Sequence, residues 1–340
     1  MISRAILETI FNDRSLFRER NFVRRFDAIE LLEGELGVDA GLGSAGLDSM
    51  ASAGSGSTAS AGSDSMASSE LGSIASAGLG LWAAEAAQVK AALEEVDDRL
   101  FARLRAEIAA GWHRGDEFEE LLVTYCGVDA AEESGYDMLD LFVNRLCSFL
   151  PMPLSTQTLE AEMVDFHKTP VRVVLELAQR IGPGDVFVDL GAGLGQVVLL
   201  VHLLTGVPAS GVEIEPAFCR YACDCAAGLG LGPTGLGLPG AFDPDQAAVP
   251  AGVAFVEGDA RFANYSEGTV FFMYTPFTGE LLETVFELLR REGLSRPFTL
   301  VTYGPCTMSA ARQSWLRATG ALPDGVDKLG IFRATGETSE

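Results

Sequence analysis

Residues 186–207, VFVDLGAGLGQVVLLVHLLTGV, constrain the fold more than any other stretch. A short apolar run rich in β-branched and aromatic residues ends in an acid, and glycines follow at 191, 193 and 195. A second apolar run then begins, too long for a strand. The order predicts a strand, a tight turn and a helix. Apolar residues on both sides of the strand require cover on both of its faces, the condition of a strand inside a parallel sheet.

The alternation continues. PVRVVLELAQRIG predicts a helix closed by Gly182, before the strand DVFVDL. The strand SGVEI and the helix AFCRYACDCAAGLG follow the first glycine turn, and a Gly/Pro-rich insert leads to the strand VAFVEGD. TVFFMYTPF, PFTLVTYG and KLGIFRA read as further strands, with GELLETVFELLRRE as a helix among them. Strands alternating with helices predict a largely parallel sheet, with the ligand site beyond the carboxyl ends of the strands.

The first half differs. Residues 1–38 carry apolar positions at helical spacing, among them Ile6, Ile10, Leu16, Phe22 and Ile29. Residues 45–76 are a degenerate octapeptide repeat, AGLDSMAS, AGSGSTAS, AGSDSMAS and SELGSIAS. Its Gly, Ser and Ala side chains bury too little surface to offset chain entropy, so residues 39–80 read as a flexible linker. Residues 81–155 return to a helical period and read as a helical module that ends at Pro151 and Pro153. Residues 156–340 form the ligand-binding domain.

The formal charge of −24 argues against broad nucleic-acid affinity, which needs Lys and Arg against phosphates, and leaves a basic protein or peptide substrate open. Arg4, Arg14, Arg18, Arg20, Arg24 and Arg25 are the local exception and read as a solvated helix face. The six cysteines follow no zinc spacing, although Cys219, Cys223 and Cys225 cluster, so no metal site is expected and the thiols read as free in a reducing compartment. MISRAILETIFNDRSLF lacks the apolar core of a signal peptide, and VVLLVHLLTGV is too short to cross a bilayer. The expected location is cytoplasmic, with no membrane partner and an oligomeric state left open.

The glycine turn bears on the cofactor. The dinucleotide fingerprint G-x-G-x-x-G wants glycine where Gln196 stands, and Asp189 would repel a pyrophosphate at the helix start. A carboxylate there suits a cationic amino-acid group instead, and S-adenosylmethionine has an ammonium and a sulfonium without phosphate. Glu213, 24 residues after Asp189, ends the next strand and is placed to accept from ribose hydroxyls, a feature shared with NAD sites. Asp259 follows the third strand and could accept from the adenine amine. A nicotinamide oxidoreductase is disfavoured by Asp189 and Gln196, and no P-loop motif occurs in the chain.

DLGAGLGQVVL (189–199), GVEIEPAFCRYA (211–222), EGDARF (257–262), FFMYTPF (271–277) and the pair Thr169-Pro170 together resemble class I S-adenosylmethionine-dependent methyltransferases. The nearest resemblance is to the non-SET histone-lysine methyltransferases of the disruptor-of-telomeric-silencing type and their bacterial relatives, over roughly residues 160–305. The fold class expected is α/β: a Rossmann-like, seven-stranded, mostly parallel sheet with helices on both faces, preceded by an α-helical module. The resemblance implies that Asp189, Gly191, Ala192, Gly193 and Gln196 surround the methionine end. It likewise implies that Glu213 holds the ribose, Asp259 and Ala260 flank the adenine, and the Thr169 region covers the methionine carboxylate.

The chain departs from that family at the fourth strand. Tyr274-Thr275-Pro276-Phe277 replaces an Asn-Asn-Phe type segment, and it also differs from the (Asn/Asp)-Pro-Pro-aromatic motif of amino-group methyltransferases. Histone specificity therefore does not carry over. Phe277 is expected as a wall beside the methyl acceptor, with Tyr274 or Thr275 as its polar contact and Tyr303 as a weaker candidate; His167 reads as a general base or as a structural histidine near a helix start. The function expected is methyl transfer to an unidentified protein side chain or small molecule. The alternative is a non-catalytic S-adenosylmethionine binder or interaction protein that reuses the fold.

Overall fold

The structure is a computed structural model, and it describes residues 4–36, 69–127, 136–232 and 252–334. The first three copies of the octapeptide repeat and most of the Gly/Pro-rich insert lie outside the described residues. The chain divides into two compact units, Met1–Ala102 and Arg103–Glu340.

The first unit contains α1 (Arg4–Asn12), α2 (Phe22–Leu36) and most of α3 (Ser69–Ala109). Leu7, Ile10, Leu16, Ile29 and Leu32 bury their side chains with Ala86 and Leu93 of α3, whereas Ile6, expected among the buried positions, is exposed and its neighbour Leu7 takes that place. Phe22 meets Phe101 edge to face at 5.6 Å. Arg14, Arg18, Arg20 and Arg24 are exposed as expected, but Arg25 is fully buried. Its Nε donates to Asp97 Oδ1 at 2.6 Å, and its terminal nitrogens donate to the carbonyls of Leu16, Arg18 and Glu19. Burial of that charge is possible because an opposite charge and three carbonyls satisfy it.

The expected boundaries are corrected here. α3 begins at Ser69, so it takes in residues 69–80, including the fourth repeat copy. Ala, Ser and Leu outnumber Gly there, and extending a nucleated helix is far easier than starting one. The expected 81–155 module is not one unit either. α4 (Asp116–Cys126) and α5 (Met138–Cys147) belong with the sheet, where both pack on the helix that follows the glycine turn. α5 also ends at Cys147, before the prolines.

The second unit is built on a seven-stranded sheet in the order β3-β2-β1-β4-β5-β7-β6. β1 (Phe187–Leu190), β2 (Ala209–Glu213), β3 (Val253–Glu257), β4 (Val270–Tyr274) and β5 (Phe298–Tyr303) run parallel. β6 (Leu316–Ala318) and β7 (Gly330–Ala334) complete the sheet, and β7 is antiparallel to both neighbours. The helices are α6 (Val171–Ala178), α7 (Gln196–Thr205), α8 (Pro216–Gly228), α9 (Gly279–Ser295) and the short α10 (Cys306–Ala310). Val188, Leu190, Phe271, Met273 and Leu300 share one core with Leu282, Val285, Phe286 and Leu289 of α9. The alternate strand residues Phe187, Phe272 and Val301 are equally buried, so both faces are covered. β1 pairs with β2 on one side and β4 on the other, which makes its carboxyl end the point where strand order reverses. Among the described residues no helix is long and apolar enough to cross a membrane.

Candidate cofactor and acceptor site

The turn after β1 is fixed by its own geometry. The Gly191 and Ala192 amides both donate to the Val212 carbonyl at 3.0 Å, tying the turn to β2. Gly191, Gly193 and Gly195 all have positive φ, at 87°, 53° and 80°. A Cβ on Gly195 would stand 2.6 Å from the Phe255 ring and 2.7 Å from Ala222 Cβ, so this third glycine lets α7 approach β3 and α8. A Cβ on Gly191 would strike Pro276, and one on Gly193 would strike the Phe166 ring.

These residues border an open cavity of about 1150 Å³, mouth included. Thr169, Asp189, Gly191, Ala192, Gly193, Gln196, Glu213, Asp259, Ala260, Tyr274, Thr275 and Phe277 all line it, so the expected cofactor residues and the first acceptor-side candidates meet in one place. His167 also lines it, but is exposed, with Nδ1 2.8 Å from the Asp165 carbonyl.

Electrostatics differ along the wall. Asp189 is buried at the end of β1, and burial raises its carboxyl well above the usual carboxylate range, with the charge of Glu213 adding to the effect. Glu213 accepts from the Gly193 amide at 2.7 Å and from the Glu215 amide at 2.8 Å. Burial still raises its pKa, because two amide bonds do not replace lost hydration. Gln196 Oε1 is buried with no hydrogen-bond partner. An orphaned acceptor and a desolvated acid on one cavity wall cost stability unless a donor arrives. That pair fits a cationic, donor-rich group, and the glycine cradle leaves it room. The ammonium of S-adenosylmethionine has this chemistry.

Three expected roles change. Asp259 accepts from the Arg261 amide at 2.8 Å and from its guanidinium, so its carboxylate caps the turn Ala260–Phe262 and is engaged by an arginine. An adenine donor would have to share these oxygens with the turn and the arginine. Thr275 is buried with a φ of 39°, and its Oγ1 donates to the Tyr303 carbonyl at 3.0 Å and accepts from the Cys306 amide at 3.1 Å. The hydroxyl expected to contact the acceptor therefore fixes the junction of β5 and α10. Tyr303 does not line the cavity; its ring lies 4.6 Å from that of Tyr274. The Tyr274 phenol is pushed up by burial and stays protonated at neutral pH. Phe277 keeps its position as a buried wall.

Beyond the expected Thr169 region and His167, sequence reasoning missed the rest of the segment 155–169 that lines the cavity. Ser155 Oγ, Thr156 Oγ1 and the Thr156 and Gln157 amides all donate to the Glu215 carboxylate, at 2.6–2.8 Å. Glu215 also caps α8 through the Ala217 amide, and these donors hold its carboxyl down at about 2. Further along, Glu160 pairs with Arg261 at 2.8 Å, and Met163 bridges Phe277 in antiparallel fashion. Glu162 accepts from the Leu281 amide at the start of α9. The acid before Pro216 is the one local signal, since proline favours the first helical position and an acid the cap.

No curated protein sequence matches the chain. Among solved structures, an RNA methyltransferase from Salinibacter ruber bound to S-adenosyl-L-homocysteine is 24% identical, over 51% of this chain and 97% of that one, with a TM-score of 0.36. MtNAS bound to S-adenosylmethionine is 17% identical over 73% and 78% of the two chains, at a TM-score of 0.36. A methyltransferase from Geobacter sulfurreducens bound to S-adenosyl-L-homocysteine is 23% identical over 39% and 47%, at 0.29. Superpositions this loose add nothing to the strand order as evidence of fold. Residues 168–229, from the end of the covering segment through the glycine turn, β2 and α8, match the family described as Histone methylation protein DOT1.

Proposed function

We propose that this chain is an S-adenosylmethionine-dependent methyltransferase of the class I, bacterial type, acting in the cytoplasm on a protein side chain or a small molecule. The observation that carries the reading is the buried Asp189 and the orphaned Gln196 Oε1 on the wall of one cavity, at the strand-order switch of the sheet. The cofactor supplies a methyl group already activated by its sulfonium. Asp189 and Gln196 hold the cationic amino-acid end, and Glu213 keeps lone pairs for the ribose hydroxyls. Phe166 and Phe218, in edge contact at 5.6 Å, supply apolar wall. Tyr274 and Phe277 border the acceptor side.

Alignment and exclusion of water are what these residues contribute. The Thr275 hydroxyl is committed to backbone groups and the Tyr274 phenol is protonated, so neither takes a proton from the acceptor at neutral pH. That leaves His167, exposed on the cavity wall, as the candidate base for an acceptor that must lose a proton. Reducing-compartment action is supported by six cysteines that are all unpaired. Calorimetry with S-adenosylhomocysteine and with NADH tests the cofactor: binding of NADH alone overturns the reading. Turnover of labelled S-adenosylmethionine with host lysate then separates an enzyme from a mere binder, and fractionating the label separates protein from small-molecule acceptors.

A further inference from the structure

Asp140 is a buried acid that does not line the cavity, and it serves two helices at once. Its Oδ2 accepts from the Asp137 amide at 2.8 Å, closing a capping box at the start of α5. Its Oδ1 accepts at 2.8 Å from the amide of Val171, the first residue of α6. α6 has no cap of its own, because Pro170 stands at that position without a side-chain acceptor. The amide of the buried Val171 would otherwise lack a partner, and an acid 31 residues upstream supplies it.

Three further hydrogen bonds join the same two stretches. The Tyr136 hydroxyl donates to the Lys168 carbonyl, Lys168 Nζ donates to Asn144 Oδ1 at 2.9 Å, and Arg172 Nε donates to the Asp137 carboxylate. These ties fall on both sides of Thr169-Pro170. Proline fixes its own φ, here −56°, and restricts the residue before it to extended backbone, so little freedom remains at Thr169. Thr169 is buried on the cavity wall. Tyr136, Asp137, Asp140 and Asn144 do not line the cavity, so they act on it through residues 168–172.

We propose that Tyr136 and Asp140 are positioning residues for the cofactor, holding Thr169 and the Lys168 backbone in the arrangement that receives it; the proposal rests on the cofactor reading above. The wall is then ordered on folding and not on binding, and affinity gains by that difference. A buried acid is a costly way to cap a helix, since a Ser or Asp at position 170 would do the same at the surface. The proline explains the choice. It keeps Thr169 extended but excludes a local cap, and Asp140 takes over the capping from α5.

The test compares the full-length chain with Tyr136→Phe and Asp140→Asn at pH 7.5, above the value of about 6 to which burial raises Asp140. Tyr136→Phe keeps the ring and removes one donor, while Asp140→Asn keeps one acceptor oxygen of two. In each variant, hydrogen exchange across residues 164–173 is expected to quicken at least fivefold, and S-adenosylhomocysteine affinity by calorimetry to fall at least fivefold. The urea midpoint of Tyr136→Phe is expected to stay at the wild-type value, which separates positioning from a merely structural role. If Asp140→Asn does not fold, Tyr136→Phe decides alone. Wild-type affinity in the folded variants overturns the proposal whatever the exchange, and so does weaker binding with exchange unchanged. A wild-type chain that binds no S-adenosylhomocysteine overturns the cofactor reading and the proposal with it, an outcome visible before any variant is made.

Discussion

The carboxylate of Glu213 accepts a hydrogen bond from the amide of Gly193 at 2.7 Å, joining the acid that ends β2 to the glycine turn that follows β1. One side chain thereby shapes the turn and presents its remaining lone pairs to the cavity. Glu213→Ala should lose both contributions and weaken S-adenosylhomocysteine binding at least tenfold by calorimetry. Glu213→Gln, which keeps one carbonyl acceptor, should retain part of the affinity. Unchanged binding in both would remove Glu213 from the site.

Asp189 makes cofactor binding pH-dependent. Burial raises its pKa, so the ligand-free chain holds a proton there that an arriving ammonium must displace. Affinity should therefore rise with pH until Asp189 ionises in the free chain, and binding at lower pH should release a proton. Calorimetry in buffers of different ionisation enthalpy measures that release. Asp189→Asn should bind more weakly and lose most of the pH dependence.

The third glycine of the turn is a packing residue. Gly195→Ala places a methyl 2.6 Å from Phe255 and 2.7 Å from Ala222, at a φ of 80° that alanine resists. Overpacking of this kind costs about 1–3 kcal/mol, and the positive φ adds to it. Urea unfolding should show a lower midpoint with an unchanged slope. An unaltered midpoint would mean that α7 has slack against β3.

How far this was legible in the sequence depended on the range of the interaction. β1, the turn and α7 were legible because strand period, glycines and helix period follow within 22 residues. β6 was missed because Leu316–Ala318 has three residues, too few for a period, and only a sheet partner makes it a strand. Asp189, Glu213 and Asp259 were expected together from their place at strand ends, and all three line the cavity. Yet the engagement of Asp259 by Arg261 depends on a side-chain rotamer, and Thr275 is held by backbone 28 residues away. Glu215 takes its donors from residues 58–60 positions upstream, in a stretch without periodicity. Buried Arg25 looked like its exposed neighbours because its partner Asp97 is 72 residues distant.

Glu215 should leave its signature in acid stability. Its folded pKa of about 2 lies below the ordinary 4.5, so its contribution is fully present above pH 4.5 and is lost as pH falls towards 2. Asp140 acts the other way: burial raises it to about 6, so falling pH between 6 and 3.8 favours the folded form. The difference between the wild-type chain and Glu215→Gln isolates the first effect. Between pH 5 and 8 that difference should be constant, and it should shrink below pH 4.5. A difference independent of pH from 5 to 2.5 would show that the Glu215 charge is not what the donors stabilise.

Arg25 and Asp97 test the first unit. Their side chains are fully buried and joined at 2.5–2.6 Å. Removing Asp97 leaves the buried guanidinium without its carboxylate, at a cost of about 3–5 kcal/mol. Asp97→Ala leaves a guanidinium that still donates to the Leu16, Arg18 and Glu19 carbonyls, but with its charge uncompensated. Arg25→Met with Asp97→Leu removes both charges and fills much of the space. Chemical denaturation should therefore rank the double variant well above Asp97→Ala in stability. It should remain below wild type, because the three carbonyls lose their donor, a loss that apolar side chains cannot make good. Equal destabilisation by the single and double changes would mean that packing, and not charge, sets the stability of this unit.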